Sequence, residues 1–288
     1  MNHVAIRLWP EDATSRSNVN PFTKFKVSCQ DRITVETPDT RDWLPLESRI
    51  NHDSPEYALF YSHLQRHNVV VKVGSSILQR EYDIGTFLES LELPTFLSHH
   101  CIFHCLDNPR GLRTDPLPRP LCSVIGEPIH IIVMPELKGK SFEKYRWTND
   151  SVLTIKNILK HVVLSLCVAS TKLKFVHKDL HLHNVIIVRS RRRHISYGEY
   201  GTLQVAEFIP IIMDYDRSIV NSSKPHDVYG DMKRYIFDVD REFGFRTDDL
   251  KQLLADLKSE RQVTTPDVCR RILEAIDSMR PIEHHDIV

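Results

Sequence analysis

Residues 175–188 read FVHKDLHLHNVIIV, and within them His177-x-Asp179-Leu180-x-x-x-Asn184 runs directly into an apolar strand. An ionised carboxylate such as that of Asp179 can accept the proton of an attacking hydroxyl. An amide oxygen five residues later, on Asn184, can turn back and hold Mg²⁺. The same residues also read as a His/Asp-rich turn between a helix and a strand. Thirty residues beyond Asn184, IPIIMDYDRS (209–218) ends an apolar strand at Asp214-Tyr215-Asp216. An Asp at the mouth of a buried strand offers hard oxygens to Mg²⁺, although by itself the segment reads equally as a strand-ending turn. Much earlier, NVVVKV (68–73) sets Lys72 among valines in a β-branched strand, so its ammonium faces either solvent or a cleft.

These residues need elements to position them. Alternation and β-branching predict strands at KFKVS (24–28), RITVE (32–36), YALFY (57–61) and NVVVKV, punctuated by Pro and Asp over 37–55. Residues 1–20 read as an irregular leader. Leu78, Tyr82, Phe87, Leu88 and Leu91 recur at helical spacing and predict a helix over Ile77–Leu91. Ser98–Leu106 reads as a strand, 107–120 as a Pro-rich loop and HIIVM (130–134) as a buried strand. After Gly139 the texture becomes helical. Residues 151–174 carry one long apolar face; strands follow at 185–188 and 208–213. Two helices start at Thr247 and at Thr265, the latter with Pro266 in its first turn. Strands with one helix, then mostly helices, predict two lobes, the first sheet-rich and the second helical.

Taken in order over roughly residues 69–216, the segments resemble atypical protein kinases. DLHLHNVIIV, with His after Asp-Leu, and DYD in place of D-F-G resemble haspin-type kinases and the kinase-like proteins of large DNA viruses. In both groups the helix that follows the lysine strand reads much like Glu81-Tyr82-Asp83-Ile84-Gly85. The resemblance implies an α+β bilobal protein-kinase-like fold, with an N-lobe over 1–135 and a C-lobe over 136–288. It implies that ATP–Mg²⁺ binds in the cleft and that the γ-phosphoryl group passes to a Ser/Thr hydroxyl of a protein substrate. Asp179 is then the base, and Asn184 and Asp214 hold Mg²⁺. Lys72 grips the phosphates, oriented by Glu81 in preference to Glu89. HIIVMPELKG (130–139) resembles the strand and hinge that hold adenine, with Met134 lining the pocket, Pro135 offering a carbonyl and Leu137 an N–H. PHDVYGDMKRY (225–235) resembles the start of the central C-lobe helix, with Asp227 as the residue that clamps the catalytic loop.

The chain departs from the pattern in three places. No Gly-x-Gly-x-x-Gly precedes Lys72, and the corresponding turn, residues 51–56, has no glycine. Asp216 stands where the third residue of D-F-G is Gly. About ten residues separate Asp216 from Asp227 with no A-P-E between them, so the usual peptide-docking segment is mostly missing. Two other readings therefore stand beside the kinase: a pseudokinase that regulates another protein, and a small-molecule kinase of the aminoglycoside or choline type.

Composition bounds the rest. The chain has 288 residues, 41% hydrophobic and 26% charged, which excludes a disordered chain, a collagen or a coiled-coil rod. Lys+Arg and Asp+Glu are 38 each, so a nucleic-acid binder relying on net positive charge is disfavoured. RSRRRH (189–194) is a local basic run, read as a solvated loop with nucleic-acid or acidic-substrate contact as the functional option. SHHCIFHC (98–105) and the trio His177, His181, His183 hold zinc-type ligands; strand alternation and catalytic-loop positions account for them more simply. No secretory or membrane-spanning segment is expected. The six cysteines are scattered without an export signal, which predicts reduced thiols in a soluble protein of the cytoplasm or nucleus, or of the host cell if viral.

Overall fold

The computed structural model describes residues 46–50, 57–64, 67–107, 117, 126–147 and 151–281. The expected strands at 24–28 and 32–36, the turn at 51–56 and nearly all of the Pro-rich loop lie outside the described residues. The chain divides into two compact units, one of residues 1–89 with 97–136, the other of residues 90–96 with 137–288.

The first unit is a five-stranded antiparallel sheet with one helix. Its strands are β1 (Ser48–Arg49), β2 (Tyr57–Leu64), β3 (His67–Gly74), β4 (Cys101–Asp107) and β5 (Glu127–Pro135), in the order β1-β2-β3-β5-β4. Helix α1 (Ile77–Glu89) packs on β3, β4 and β5. The period-2 geometry of β3 separates two jobs. Val69, Val71 and Val73 turn into a core with Leu46, Ala58, Phe60, Phe103, Ile131 and Val133. Lys72 therefore points to the opposite face. Its neighbours across the ladders are Leu59 and Ile132.

The second unit is built on α2 (Val152–Leu173), a 22-residue helix. By length and composition α2 is apolar enough to cross a membrane. Its apolar side chains from Ile155 to Ala169 are buried inside the unit instead. The helix stops at Lys174, which takes a left-handed φ of 48° and donates its backbone N–H to the Ala169 carbonyl. A small sheet follows, in the order β10-β7-β6, from β6 (Gly139–Ser141), β7 (Val185–Arg189) and β10 (Phe208–Ile212). The basic run closes one end of β7 and enters the hairpin β8 (His194–Ser196) and β9 (Thr202–Gln204). Arg189 is held there by Glu207 at 2.6 Å. Helices α3 (Val228–Phe243), α4 (Asp248–Ser259) and α5 (Pro266–Ser278) complete the unit, with the short pair β11 (Phe245–Arg246) and β12 (Arg280–Pro281). Thr265 caps α5 by accepting the Val268 N–H at 3.3 Å, as its position predicts. Thr247 does not cap α4. It is buried and donates its hydroxyl to Asp240 at 3.0 Å.

The expectation of reduced thiols is overturned. Cys167 on α2 and Cys269 on α5 form a disulfide, with their Cα atoms 6.8 Å apart. Cys101 is also disulfide-bonded, and among the described residues no cysteine is free. The two helices pack so that both positions face the shared interior, a juxtaposition that 102 residues of separation hid. The cysteines therefore give no support to a reducing compartment. Closing a loop of this length restricts the unfolded chain, so reduction, or Cys167→Ser, is expected to lower stability by about 2–4 kcal/mol. Urea titrations with and without reductant check this; coincident curves would show that the bridge does not contribute.

Candidate functional site

Lys72 and Glu81 form a buried ion pair. Lys72 Nζ donates to Glu81 Oε2 at 2.7 Å, and the two side chains are 4% and 2% exposed. The ammonium also lies 4.1 Å over the ring of Tyr57. β3 presents Lys72 away from the valine core, and the second turn of α1 brings Glu81 to it. Gly85, one turn further along α1, lets the buried ring of His99 approach; a Cβ there would lie 2.4 Å from His99 Nδ1. His99 also stacks on Tyr82. A bare backbone at 85 thus keeps α1 close to the segment entering β4. Met134 and Pro135 end β5, opposite Val70 and Val69 of β3. Leu137 is the first residue after the first unit, and its carbonyl accepts from the Gly139 N–H at 2.8 Å.

The second unit assembles the loop that carries Asp179. Val176 pairs with Ile219 through two backbone hydrogen bonds of 2.9 and 2.8 Å, which fixes the loop's entry. The His177 ring is fully buried, and Nε2 lies 3.1 Å from the Met213 carbonyl. A carbonyl only accepts, so Nε2 carries the proton. Burial pushes the His177 pKa down to about 4, which keeps the imidazole neutral near pH 7. Lys178 follows at a left-handed φ of 69°, so Asp179 leaves the loop in a direction that a regular turn does not provide. The Asn184 amide Nδ2 donates to the Asp179 carbonyl at 3.0 Å, which identifies Oδ1 as the acceptor atom of the side chain.

Strand pairing brings the two proposed metal ligands to one edge. β7 and β10 run antiparallel with Val185 opposite Ile212, so Asn184 and Asp214 emerge from the same end of the pair. The Met213 N–H donates to the Asn184 carbonyl at 3.0 Å, which ties the two segments together. Asp214 itself has a φ of 66°. Tyr215 is buried, packs against Phe175 and His177, and donates its hydroxyl to the Ile212 carbonyl at 2.6 Å. An amide oxygen and a carboxylate at one strand edge are a hard-oxygen donor set suited to Mg²⁺.

The clamp on this loop is Asp231, which corrects the assignment to Asp227. Asp231 accepts the His177 N–H at 2.7 Å and the Lys178 N–H at 3.0 Å. Burial raises its pKa to about 6, against the pull of those two donors. Asp227 lies one helical turn earlier and pairs with Lys178 Nζ at 2.8 Å. The Lys178 ammonium holds the Asp227 carboxyl below the usual carboxylate range. The sequence does hold a signal for this choice. Val228, Asp231, Met232, Tyr235 and Val239 share one buried face of α3, and Asp227 precedes the helix. Sequence reading also missed Arg234 and Arg217. Arg234 Nη1 donates to Asp179 Oδ1 at 3.0 Å, and Arg217 lies 3.7 Å from Oδ2.

The histidine and cysteine runs are otherwise engaged. Cys101 and Phe103 turn into the sheet core, while His104 stacks edge-on against His130 at 4.1 Å. His183 pairs with Glu143 at 2.8 Å. Among the described residues no three His, Cys, Asp or Glu side chains are placed to hold a metal.

Residues 125–247 match the family model described as a haspin like kinase domain. The chain is 32% identical over 93 residues to a serine/threonine-protein kinase haspin of Mus musculus, a match covering 31% of this chain and 12% of that protein. It is 30% identical over 93 residues to the haspin of Bos taurus, with the same coverage. An uncharacterised protein of Caenorhabditis elegans is 29% identical over 86 residues, 28% of this chain and 29% of that one. The matches thus span a small part of each relative's length. A solved structure of WaaP in complex with acyl carrier protein aligns with a TM-score of 0.46 at 11% identity, covering 81% of this chain and 87% of that one.

Proposed function

We propose that this chain, which is of the atypical protein kinase-like superfamily and carries a haspin-like segment, transfers the γ-phosphoryl group of ATP to Ser/Thr hydroxyls of a protein. The observation that carries the reading is the loop around Asp179. It is held by Asp231 on two backbone N–H groups and joined through Asn184 to Met213, the residue before Asp214. A turn without a task has no need of a buried carboxylate, a neutral buried imidazole and a left-handed lysine.

In this reading Asp179 accepts the hydroxyl proton of the acceptor. Asn184 Oδ1 and the Asp214 carboxylate hold Mg²⁺, which when bound neutralises phosphate charge. Lys72, kept in one rotamer by Glu81, supplies a further positive charge to the phosphates. Met134 lines the adenine site, with the Pro135 carbonyl and the Leu137 N–H as its hydrogen-bonding groups. Little covalent chemistry is asked of the protein. Positioning and charge neutralisation supply the acceleration.

A second reading, a pseudokinase that binds a partner without turnover, is favoured by one observation. Arg234 and Arg217 occupy both oxygens of Asp179, where an acceptor hydroxyl must come. The experiment is transfer of labelled phosphate from ATP–Mg²⁺ to acidic and basic proteins, with phosphoamino-acid analysis of the product. Label on Ser or Thr supports the kinase. Nucleotide binding without label on any protein would move the assignment to the pseudokinase, and label on a metabolite to a small-molecule kinase.

A further inference from the structure

The second unit carries a groove of about 690 Å³ between α3 and α4. Gly230, Lys233, Arg234 and Phe237 line it from α3 at the i, i+3, i+4, i+7 spacing of one helix face. Leu254 and Lys258 line it from α4, and Arg261 follows that helix. Four cations thus border the groove, and none of its lining side chains is acidic. The whole chain has a formal charge of zero, so this is a local separation of charge.

Two of the cations have counter-ions. Arg234 holds Asp179, and Lys258 Nζ lies 3.7 Å from Asp227. Lys233 and Arg261 have no ion-pair partner among the described residues, and both are exposed. The floor is apolar: Leu254 is buried, while Phe237 is 52% exposed. Gly230 leaves room for the end of the Lys258 side chain, whose Nζ would lie 2.8 Å from a Cβ placed there. Through Arg234 the groove abuts the loop that carries Asp179.

We propose that this groove docks an acidic segment of a partner protein, with an apolar side chain on Phe237 and Leu254 and its carboxylates toward Lys233 and Arg261. Charge complementarity and the concave apolar floor argue for a peptide. A nucleic acid would use the cations but would not need an apolar floor for an aliphatic or aromatic anchor. The proposal concerns binding alone and holds whether or not the chain transfers phosphate.

The test uses the full chain and four fluorescein-labelled probes: a peptide of ten Glu with one central Phe, an all-Glu peptide, the Lys counterpart of the first, and a twelve-nucleotide single-stranded DNA. The acidic peptide is expected to bind, to weaken with added salt, and to lose about tenfold in affinity in Lys233→Glu/Arg261→Glu. Arg191→Glu/Arg193→Glu, in the basic run away from the groove, is expected to bind as wild type does. Phe237→Ala is expected to weaken the Phe-containing peptide more than an all-Glu peptide. Circular dichroism confirms that each variant is folded. Equal affinity of Lys233→Glu/Arg261→Glu and wild type for the acidic peptide would overturn the proposal. So would tighter binding of the DNA than of the peptide, or the same loss in the Arg191/Arg193 variant.

Discussion

Asp179→Asn is expected to fold, to bind ATP, and to lose phosphoryl transfer by about 10²–10⁴-fold, the usual contribution of a positioned general base. The substitution keeps the size of the side chain. It keeps an oxygen that can accept from Arg234. It removes the charge that takes up the hydroxyl proton. The pair with Arg234 is between a half-exposed guanidinium and a mostly buried carboxylate, so its loss changes stability by about 1 kcal/mol or less. Steady-state kcat, measured beside a thermal melt and a nucleotide titration, separates these effects. Turnover within a few-fold of wild type, with the fold intact, would remove Asp179 from the base role.

Asp231 carries the second large effect, on stability as well as on turnover. Asp231→Ala strands the buried His177 N–H and the part-buried Lys178 N–H and is expected to destabilise the protein by about 2–4 kcal/mol. Asp231→Asn is the gentler probe. Its amide turns a donor toward one of the two N–H groups, so the loop shifts and turnover falls by about 10²-fold. The pH dependence distinguishes a buried carboxylate from mere packing. The folded pKa of Asp231 is raised to about 6 from an ordinary 3.8. A raised carboxyl contributes stability that is full below the unfolded pKa and is lost as pH rises through the folded one. Wild type is therefore expected to lose about 2 kcal/mol relative to Asp231→Asn between pH 4 and pH 6. His161 and His177 run the other way, because burial lowers both to about 4. Their contribution is present above the ordinary pKa of 6.5 and is lost as pH falls toward 4. Only the difference between wild type and variant is diagnostic. Parallel urea stability profiles across that window would show that Asp231 is not the titrating group.

The residues proposed for the site could be named from the sequence because they lie in short segments with their own elements. Asp179 and Asn184 are separated by one loop, and Asp214 lies two residues beyond the strand that pairs with the one after Asn184. Lys72 and Glu81 are nine residues apart on a strand and the helix that follows it, so local geometry alone nearly brings them together. The clamp was misassigned because Asp227 and Asp231 both suit it by type. The apolar periodicity of α3 separates them only when Asp231 is counted among its buried positions. The disulfide and the arginine pair on Asp179 had no signal of this kind. Cys167 and Cys269 are separated by 102 residues, and Arg234 by 55 from the carboxylate it holds.

The sequence by itself determined which groups are chemically capable and the order in which they occur, since residue type, strand alternation and helical period are local properties of the chain. Those properties predicted the strand of Lys72, the helix that follows it and the strands on either side of the 184–214 stretch, while the pairing of Lys72 with Glu81 was what the family resemblance implied. Tertiary structure decided which of two equivalent carboxylates is desolvated, which cysteines meet and which arginines reach Asp179. It also gathered four cations around one groove of a chain with no net charge. The physical reason is that burial, pairing and field depend on distances between segments remote in sequence. Only packing sets those distances.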